Sequence, residues 1–353
     1  MTAPLNWMIY GANGYTGEQI AREAVKRGLR PVLAGRSRDR IEPLAVELNL
    51  RWRVFGLDAA GPALDGVGLV MHCAGPFAAT AAPMLDACLA ARAHYLDITG
   101  EIAVLEHALA QHARARAAEV VVCPGVGFDV VPTDCVAAAL KAALPDASHL
   151  ALGFDSRSGP SAGTAKTIVE GLGLGGQVRR EGRIVGVPQA WRTRRIDFGG
   201  GEKRAMTIPW GDVSTAFHST GIPNIEVYLP VPGAMIAAAK AGNMMMWLWR
   251  RQAVIDALKK WVDRSVTGPD AAARAARPTW VWGEARNPAG QAKCARIGVA
   301  NVYDLTVASA LAVIGHLLHV RPPGGGYTPS RLMGADLVER LPGSGPLRIE
   351  DVR

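Results

Sequence analysis

The sequence Trp7-Met-Ile-Tyr-Gly-Ala-Asn-Gly-Tyr-Thr-Gly17 decides the fold of this chain. An apolar run, Trp7–Tyr10, is followed at once by three glycines, Gly11, Gly14 and Gly17. Where a buried strand passes into a helix, the first such glycine permits a tight turn and the second lets the backbone approach a pyrophosphate. The third lets the helix pack closely on the strand. The stretch therefore predicts a dinucleotide-binding turn; an ordinary turn is the alternative, because such triplets also occur without a ligand.

The helix after this turn, from Glu18 to about Arg27, is expected to hold the phosphates of the dinucleotide. The start of a helix offers N–H groups that have no intrahelical acceptor, together with the positive end of the helix dipole. The residues of the turn predicted to bind the cofactor are Gly11, Asn13, Gly14, Tyr15, Thr16 and Gly17.

The second apolar run, Pro31–Ala34, indicates which dinucleotide is bound. Folds that prefer NAD usually place an acidic residue at the end of this strand, where it binds the ribose 2′-hydroxyl. Here the first carboxylate is Asp39, whereas Arg36, Ser37 and Arg40 offer donors that suit a 2′-phosphate. We therefore predict NADP(H) as the cofactor. A solvated basic loop is the alternative interpretation of the same residues.

Composition agrees with a two-domain enzyme of this kind. The chain has 353 residues, of which 49% are hydrophobic, which is enough for two substantial cores. Its net charge of +8 suits an anionic cofactor or substrate. Since the sequence carries no nucleic-acid-binding motif, we expect a small-molecule substrate and no nucleic acid.

The cysteines and histidines do not form a metal-binding pattern. The five cysteines lie too far apart for a zinc knuckle or a Cys-x-x-Cys redox pair. His316 and His319 share a helix face but have no third ligand nearby, so no metal site is predicted. The odd cysteine count and the lack of a secretory signal indicate a cytoplasmic location.

Short apolar runs alternate with helical patterns over the first 140 residues, which is typical of a parallel, doubly wound α/β sheet. The strands predicted there are Trp7–Tyr10, Pro31–Ala34, Trp52–Gly56, Gly68–Cys73, His94–Asp97 and Glu119–Cys123. From about residue 148 the runs are linked by glycine-rich turns, which predicts a mixed, mostly antiparallel sheet. Its predicted strands are His149–Asp155, Gln177–Val187, Trp191–Phe198, Lys203–Ile208, Asn224–Leu229, Pro278–Ala285 and Ala292–Ala300.

The predicted organisation is a Rossmann-type doubly wound parallel sheet with an inserted mixed α+β sheet domain. Residues 1–135 form the NADP-binding domain, 136–300 the inserted domain, and 301–353 return to the first domain as helices. The helices predicted in the second half of the chain are Ser161–Leu172, Val302–Leu318 and Thr328–Leu341.

Residues 231–264 are the candidate for a membrane contact. Val231–Trp249 is largely apolar, and Arg250–Arg264 is basic and amphipathic. Because Lys240 and Asn243 interrupt the apolar run, we expect no transmembrane span. A buried or dimer-interface helix is expected here, with a weak membrane or lipid contact as the alternative.

Further motifs are distributed over nearly the whole chain: Leu33-Ala-Gly-Arg-Ser37, Cys73-Ala-Gly-Pro-Phe77, His94-Tyr-Leu-Asp-Ile-Thr-Gly-Glu101, Pro124-Gly-Val-Gly-Phe-Asp-Val-Val-Pro-Thr-Asp134, Gly325-Gly-Tyr-Thr-Pro-Ser330 and Leu332-Met-Gly-Ala-Asp336. With the glycine-rich turn, the chain resembles the saccharopine dehydrogenase-like oxidoreductases, a family that includes trans-acting enoyl reductases of complex-lipid biosynthesis. The resemblance implies a Rossmann domain and a mixed sheet domain that aids dimerisation, so we expect a homodimer. It does not settle the substrate, since this family spans amino-acid, lipid and unassigned chemistry.

The loop after the fourth strand is predicted to contact the cofactor through Ala74, Gly75, Pro76 and Phe77. The Gly-Pro pair lets the backbone approach the cofactor while keeping the loop stiff, and Phe77 is a candidate to flank the nicotinamide. A plain strand-to-helix turn is the alternative.

The next two strands supply the remaining candidates. Thr99 and Gly100 are predicted to contact the cofactor, although Thr99 and Glu101 could instead cap the helix that starts near Ile102. Asp129, after the sixth strand, is the candidate catalytic acid near the nicotinamide. In the second domain, candidates for the substrate wall are Trp210, Asp212, His218, Ser219 and Thr220, with packing as the alternative role of the tryptophan.

Other catalytic signatures are missing from the sequence. None of the six tyrosines precedes a lysine by four residues, and there is no Gly-x-Ser-x-Gly or His-Glu-x-x-His motif. The residues thus favour an NADP(H)-dependent oxidoreductase that moves hydride to or from a C=C, C=N or C=O bond. A lipid-like or carboxylate-bearing metabolite is the substrate class expected first. The alternative is a catalytically silent NADP(H)-binding sensor or lipid-associated scaffold.

Overall fold

The computed structural model describes residues 5–156, 169, 175–245, 251–265 and 279–352. The chain divides into two compact units. The first comprises Met1–Val131 and Tyr303–Leu337, and the second comprises Pro132–Val302 and Val338–Arg353. The chain therefore enters the second unit twice, the second time with its last residues.

The first unit is built on a parallel sheet that confirms the predicted doubly wound fold. Its strands are β1 (Trp7–Tyr10), β2 (Val32–Gly35), β3 (Trp52–Val54), β4 (Leu69–His72), β5 (His94–Asp97), β6 (Val121–Cys123) and the short β15 (Gly325–Gly326), which was not predicted. They lie in the order β15-β6-β5-β4-β1-β2-β3. The direction of winding reverses between β1 and β4, so a crevice opens at the carboxyl ends of these neighbouring strands.

Helices cover both faces of this sheet. They are α1 (Tyr15–Lys26), α2 (Arg38–Glu47), α3 (Ala60–Ala63), α4 (Phe77–Ala90), α5 (Ile102–Ala110), α6 (His112–Ala117), α11 (Val302–His319) and α12 (Pro329–Met333). Strand side chains alternate between two cores: Ile9 packs in the core that contains Ile20 of α1, and Met8 in the core that contains Met84 of α4. Apolar strands buried on both faces are what a parallel sheet requires.

Helix α11 belongs to the first of these cores. Among the described residues it is long and apolar enough to cross a membrane, but 56% of its apolar window is buried within the protein. Leu311 and Ile314 lie in the core with Ile9 and Ile20. Its apolar composition is thereby explained by packing against the sheet.

The helix predicted over Thr328–Leu341 is wrong in its length. Helix α12 is capped by Thr328, whose Oγ1 accepts from Arg331 N at 3.4 Å, and it ends at Met333. Gly334 follows with a φ of +92°, which a helix cannot continue through. The next residues form a 3₁₀ turn, Ala335–Arg340.

The second unit contains a mixed, mostly antiparallel sheet. Its elements are α7 (Val131–Ala143, which begins at the boundary), β7 (His149–Asp155), β8 (Gly176–Arg180), β9 (Arg183–Val187), β10 (Thr193–Asp197), β11 (Glu202–Ile208), α8 (Asp212–Thr220), β12 (Asn224–Pro230), α9 (Gly233–Gly242), α10 (Gln252–Ser265), β13 (Thr279–Arg286), β14 (Ala292–Val299) and β16 (Arg348–Asp351). The main order is β10-β11-β12-β7-β13-β14-β16, and β8 joins β12 to β9. Of these pairs, β12 with β7 is parallel.

Three details of this unit differ from the predicted elements or fall outside them. The single strand predicted over Gln177–Val187 is a hairpin, because Glu181 and Gly182 have φ values of +48° and +77° and form a two-residue turn between β8 and β9. The last strand, β16, pairs with β14, which places Val338–Arg353 in the second unit. The helix predicted over Ser161–Leu172 lies outside the described residues except for Val169.

Candidate functional site

The glycine-rich turn packs directly against the loop that follows β4. Gly11 has a φ of +81°, and a Cβ built on it would lie 2.7 Å from Ala74 N. A Cβ on Gly17 would lie 2.4 Å from Gly11 O, whereas on Gly14 the nearest atom would be Gly11 O at 3.3 Å. The first and third glycines close the turn, and the second leaves the space that a pyrophosphate contact requires.

Helix α1 begins in this turn without a side-chain cap. Gly14 is the N-cap residue, and Glu18 N donates to Gly14 O at 2.9 Å. The N–H groups before it, including those of Thr16 and Gly17, have no intrahelical acceptor because of helix geometry. Tyr15 is 43% exposed and contacts the Tyr303 ring edge to face. The helix thus directs its amide donors and positive end at the space beside Gly14, an arrangement that binds phosphate.

The end of β2 lies beside the same turn. A Cβ on Gly35 would come within 2.9 Å of Asn13 Oδ1, so the glycine makes room for the asparagine side chain between turn and strand. Ser37 is the N-cap residue of α2, yet its hydroxyl makes no capping bond. The hydroxyl of Ser37 and the first N–H groups of α2 are therefore not joined to each other by a capping bond.

The arginines after β2 differ in what they contact. Arg38 pairs with Glu42 at 2.8 Å and lies over the Trp52 ring at 5.3 Å. Arg36 and Arg40 are exposed, and in the part of the chain that the structure describes no carboxylate pairs with them. Two guanidinium groups are therefore available to an anion where the sequence places the 2′-phosphate.

The Glu101 carboxylate accepts hydrogen bonds from the end of the loop Ala74–Phe77 and from the residue after it. Phe77 N donates to Glu101 Oε1 at 3.1 Å, and Ala78 N donates to Glu101 Oε2 at 2.8 Å. The carboxylate therefore caps the N-terminus of α4, where negative charge is favoured. Glu101 also stands at the N-cap position of α5, but its side chain does not cap that helix, so the alternative weighed from the sequence is corrected.

Thr99 and Asp97 form the turn that places Glu101. Thr99 is buried, and its Oγ1 accepts from Glu101 N at 3.1 Å. Asp97 Oδ1 accepts from Thr99 N at 3.0 Å and from Gly125 N at 2.8 Å, while Tyr95 OH donates to its Oδ2 at 2.7 Å. Burial raises the pKa of Asp97 to about 6. This carboxylate holds together the loops that follow β5 and β6, a role that was not predicted from the sequence although Asp97 lies in the motif His94–Glu101.

Asp129 lies against Gly100. A Cβ on Gly100 would be 2.8 Å from Asp129 Oδ2, so the glycine is what allows the carboxyl group to sit over the end of β5. Burial raises the pKa of Asp129 to about 7. A carboxyl group that titrates near neutrality can hold or release a proton in the working pH range. The structure thus brings together two candidates, Gly100 and Asp129, that the sequence placed on separate loops.

Three substrate-wall candidates of the second unit, Trp210, Asp212 and Ser219, make ring contacts or hydrogen bonds within that unit. Trp210 packs on Phe154 with ring centroids 4.9 Å apart. Asp212 is fully buried, and its Oδ1 accepts from Thr133 Oγ1 at 2.7 Å, while Ser219 Oγ donates to the buried Asp134. These bonds join the start of α7 to α8. Structural roles therefore account for the two carboxylates and for the tryptophan.

Metal-ligating clusters are not found in the described ranges: no group of three or more His, Cys, Asp or Glu side chains could hold an ion there. The ends of β1, β2, β4, β5 and β6 instead offer hydrogen-bond donors that suit an anion, a stiff loop, and a carboxyl group, that of Asp129, whose pKa is about 7.

Comparison with known proteins agrees with this geometry. Residues 7–123 match the family model of the saccharopine dehydrogenase NADP binding domain. The chain is 28% identical over 154 residues to the human saccharopine dehydrogenase-like oxidoreductase, covering 37% of this chain and 36% of the relative. It is 28% identical over 138 residues to a trans-acting enoyl reductase of Mycobacterium bovis, covering 36% of this chain and 33% of the relative. The matches thus span about a third of the length of these curated relatives.

Saccharopine dehydrogenase (L-Glu forming) from Saccharomyces cerevisiae has the same fold. Its solved structure superposes with a TM-score of 0.63 over 99% of this chain and 100% of that one, at 9% sequence identity. Both the parallel sheet and the second mixed sheet are therefore accounted for by a known architecture. The match of residues 7–123 to the saccharopine dehydrogenase NADP binding domain confirms the resemblance to the saccharopine dehydrogenase-like oxidoreductases that the motifs predicted.

Proposed function

We propose that this protein is an NADP(H)-dependent oxidoreductase that moves hydride to or from a C=C, C=N or C=O bond of a small-molecule substrate. The substrate class proposed first is a lipid-like or carboxylate-bearing metabolite. The single observation that carries the proposal is the contact between Gly11 and Ala74, which joins the phosphate-binding turn to the loop beside the nicotinamide position. The cofactor, when bound, supplies or accepts the hydride.

The residues that would hold the dinucleotide form a continuous set in the first unit. Amide donors of the α1 start suit the pyrophosphate, and Arg36 with Ser37 suits a 2′-phosphate. The loop Ala74–Phe77 would lie along one side of the nicotinamide. Because Glu101 already occupies the start of α4, that helix end is not available to a second anionic group.

Asp129 is proposed as the residue that holds the proton required with hydride transfer. Its carboxyl group lies over the end of β5 against Gly100, and its raised pKa keeps it protonated up to about pH 7. In the reductive direction it would donate that proton to the atom next to the hydride acceptor. In the oxidative direction the carboxylate would remove it.

The proposal is tested by binding and turnover together. Purified protein is titrated with NADPH and NADH, and NADPH oxidation is followed with a panel of enoyl, imino and carbonyl substrates. Binding of NADPH with turnover on one of these bond types supports the proposal. Tight NADPH binding without turnover on a broad panel would instead favour the sensor or scaffold, and a failure to bind NADPH would reject both.

A second candidate function, contact with a lipid surface, is favoured by helix α9. Met235 is 55% exposed and Met244, just after the helix, is 85% exposed, while Ile236 is the buried residue of α9. Lys240 adds an exposed cation on the same segment, which suits an anionic lipid surface. Vesicles containing anionic lipid should then carry the wild type upward in a flotation gradient.

The matched variants of that experiment are Met235→Lys with Met244→Lys, and Val46→Lys as a control on an exposed apolar residue of the first unit, 71% exposed. Loss of flotation in the double variant alone supports the lipid contact. Equal flotation of all three proteins rejects it.

A further inference from the structure

The hydroxyl of Thr80, in the first turn of α4, contacts backbone carbonyls of the loop Ala74–Phe77. Its Oγ1 donates to Ala74 O at 2.6 Å and lies 3.1 Å from Pro76 O. Threonines in helices commonly bond the carbonyl four residues back, which explains the Pro76 contact. The bond to Ala74 reaches six residues back across the loop, and it is the shorter of the two. Thr80 therefore ties the beginning of the loop to the helix that follows.

His72, the last residue of β4, makes the third contact of this hydroxyl. Its Nε2 lies 3.0 Å from Thr80 Oγ1. A carbonyl oxygen can accept a hydrogen bond but not donate one, so the single hydroxyl proton of Thr80 is directed to the carbonyls. The hydroxyl oxygen must then accept from His72. Nε2 carries the proton, and Nδ1 carries a bare lone pair.

The surroundings of the imidazole support this tautomer. His72 is fully buried, and burial lowers its pKa to about 3, so the ring is neutral. The rings of Tyr10, Phe77 and Tyr95 pack around it at centroid distances of 5.6, 5.5 and 6.2 Å. No described residue hydrogen-bonds Nδ1. The other tautomer would bury an N–H without an acceptor and set two lone pairs against each other at Nε2.

We propose that His72 and Thr80 are positioning residues for the cofactor: the Nε2–H group of His72 orients the Thr80 hydroxyl, which holds the carbonyls of Ala74 and Pro76 and so sets the loop against Gly11. This inference rests on the proposed function, because it assigns the loop to NADP(H). A loop held in this way is formed before the ligand arrives, which reduces the ordering cost of binding. Both residues act through the loop and not on the reacting atoms.

The first arm of the test measures NADPH affinity. Thr80→Val keeps the shape of the side chain but removes the hydroxyl, and we expect NADPH to bind roughly 5- to 20-fold more weakly, the effect of one lost hydrogen bond. Thr80→Ser restores the hydroxyl and should bind within about twofold of the wild type. Thr215→Val is the matched control, since Thr215, a buried residue of α8, is like Thr80 a helical threonine bonded to the carbonyl four residues back. It should bind NADPH like the wild type.

The second arm needs no cofactor. Long-range ¹H–¹⁵N spectra of histidine-labelled protein at pH 7 should show His72 as a single neutral Nε2–H tautomer, its signal assigned by its loss in His72→Phe. In Thr80→Val the acceptor is gone, so the signal should shift toward a mixture of the two neutral tautomers. A role limited to packing would leave the tautomer of His72 unchanged in that variant.

The outcomes separate this inference from the proposed function. Wild-type protein that binds no NADPH overturns the proposed function and the cofactor role of the loop together. Wild-type binding that Thr80→Val leaves unchanged overturns the positioning role alone. An Nδ1–H or doubly protonated His72 at pH 7 also overturns it, whatever the affinities. Should Thr80→Val unfold, the serine variant and the wild-type tautomer still decide the matter.

Discussion

Gly11 and Ala74 approach so closely that a Cβ on the glycine would lie 2.7 Å from the backbone nitrogen of Ala74. The two residues follow neighbouring parallel strands, β1 and β4, at the point where the winding of the sheet reverses. Their contact joins the turn that suits a pyrophosphate to the loop that would lie beside the nicotinamide. The position of the loop Ala74–Phe77 therefore depends on the absence of a side chain at Gly11.

Gly11→Ala should lower the stability and the NADPH affinity of the protein by more than the positive φ of residue 11 alone explains. The positive φ of +81° costs a side chain about 1 kcal/mol, and the overlap with Ala74 must push the two loops apart in addition. Gly28→Ala is the control, because Gly28 has a similar φ of +77° but nothing within 4 Å of its Cβ position. Urea denaturation and NADPH titration of both variants check the prediction. Equal losses of stability and affinity in the two variants would count against the importance of the Gly11–Ala74 contact.

Arg36→Ala should reduce NADPH affinity selectively. Loss of a charged hydrogen bond to the 2′-phosphate is expected to cost about 1–3 kcal/mol, with little change for NADH. Arg38→Ala removes the same charge two residues further on, at the start of α2, but Arg38 pairs with Glu42 and lies over Trp52. It should therefore leave the ratio of NADPH to NADH affinity unchanged. Titration of both cofactors against the three proteins makes the comparison, and a similar loss for NADPH and NADH in Arg36→Ala would contradict the assigned role.

Glu101→Ala should destabilise the first unit by about 1–2 kcal/mol, because two N–H groups at the start of α4 lose their acceptors. It should also weaken NADPH binding several-fold, since the Ala74–Phe77 loop loses its outer support. Glu101→Gln keeps one acceptor oxygen and should lie between the alanine variant and the wild type. The measurements are urea midpoints and NADPH affinity. A stability of Glu101→Ala equal to that of the wild type would show that the cap contributes nothing.

The pH dependence of turnover should reveal Asp129. Its pKa of about 7 means that the acid form predominates below that pH, and a proton donor must be in that form. The rate of NADPH-dependent reduction should therefore fall as the pH rises through about 7. Asp129→Asn should lower turnover by roughly 10²-fold or more and remove this pH step, with NADPH affinity kept. Asp39→Asn, which changes an exposed acid in the first turn of α2, is the control. A pH step that survives in Asp129→Asn would assign the step to another group.

Much of the fold followed from local patterns. Buried parallel strands are short apolar runs, and the three glycines mark where the chain must turn tightly, so β1, α1 and a parallel, doubly wound sheet could be predicted from the sequence. The order of the strands in that sheet was not predicted. Errors arose where a local backbone angle interrupts a pattern. The turn at Glu181 and Gly182 divides a run that looked like one strand, and Gly334 ends a helix whose apolar pattern continues beyond it.

The parts of the site that were missed depend on partners far apart in the chain. Glu101 caps a helix that starts 24 residues earlier, so its own neighbours suggested the wrong helix. In the second unit, Arg179 is buried, and it donates to the carbonyls of Val213, 34 residues away, and of Gly182. Hydrogen bonds between distant elements leave no periodic signal, because they need a single residue of suitable chemistry at each end.

The sequence by itself determined that this chain has a dinucleotide-binding first domain with cationic and hydroxyl groups after its second strand, because glycine spacing and apolar period are local properties. Only the tertiary structure decided how the loops after β4, β5 and β6 are held. The proximity of Ala74 to Gly11, of Asp129 to Gly100 and of Glu101 to the start of α4 results from the order of strands in the sheet. A parallel sheet brings loops that are far apart in the sequence to one edge. Which of their atoms come into contact depends on tertiary packing and cannot be read from a local sequence pattern.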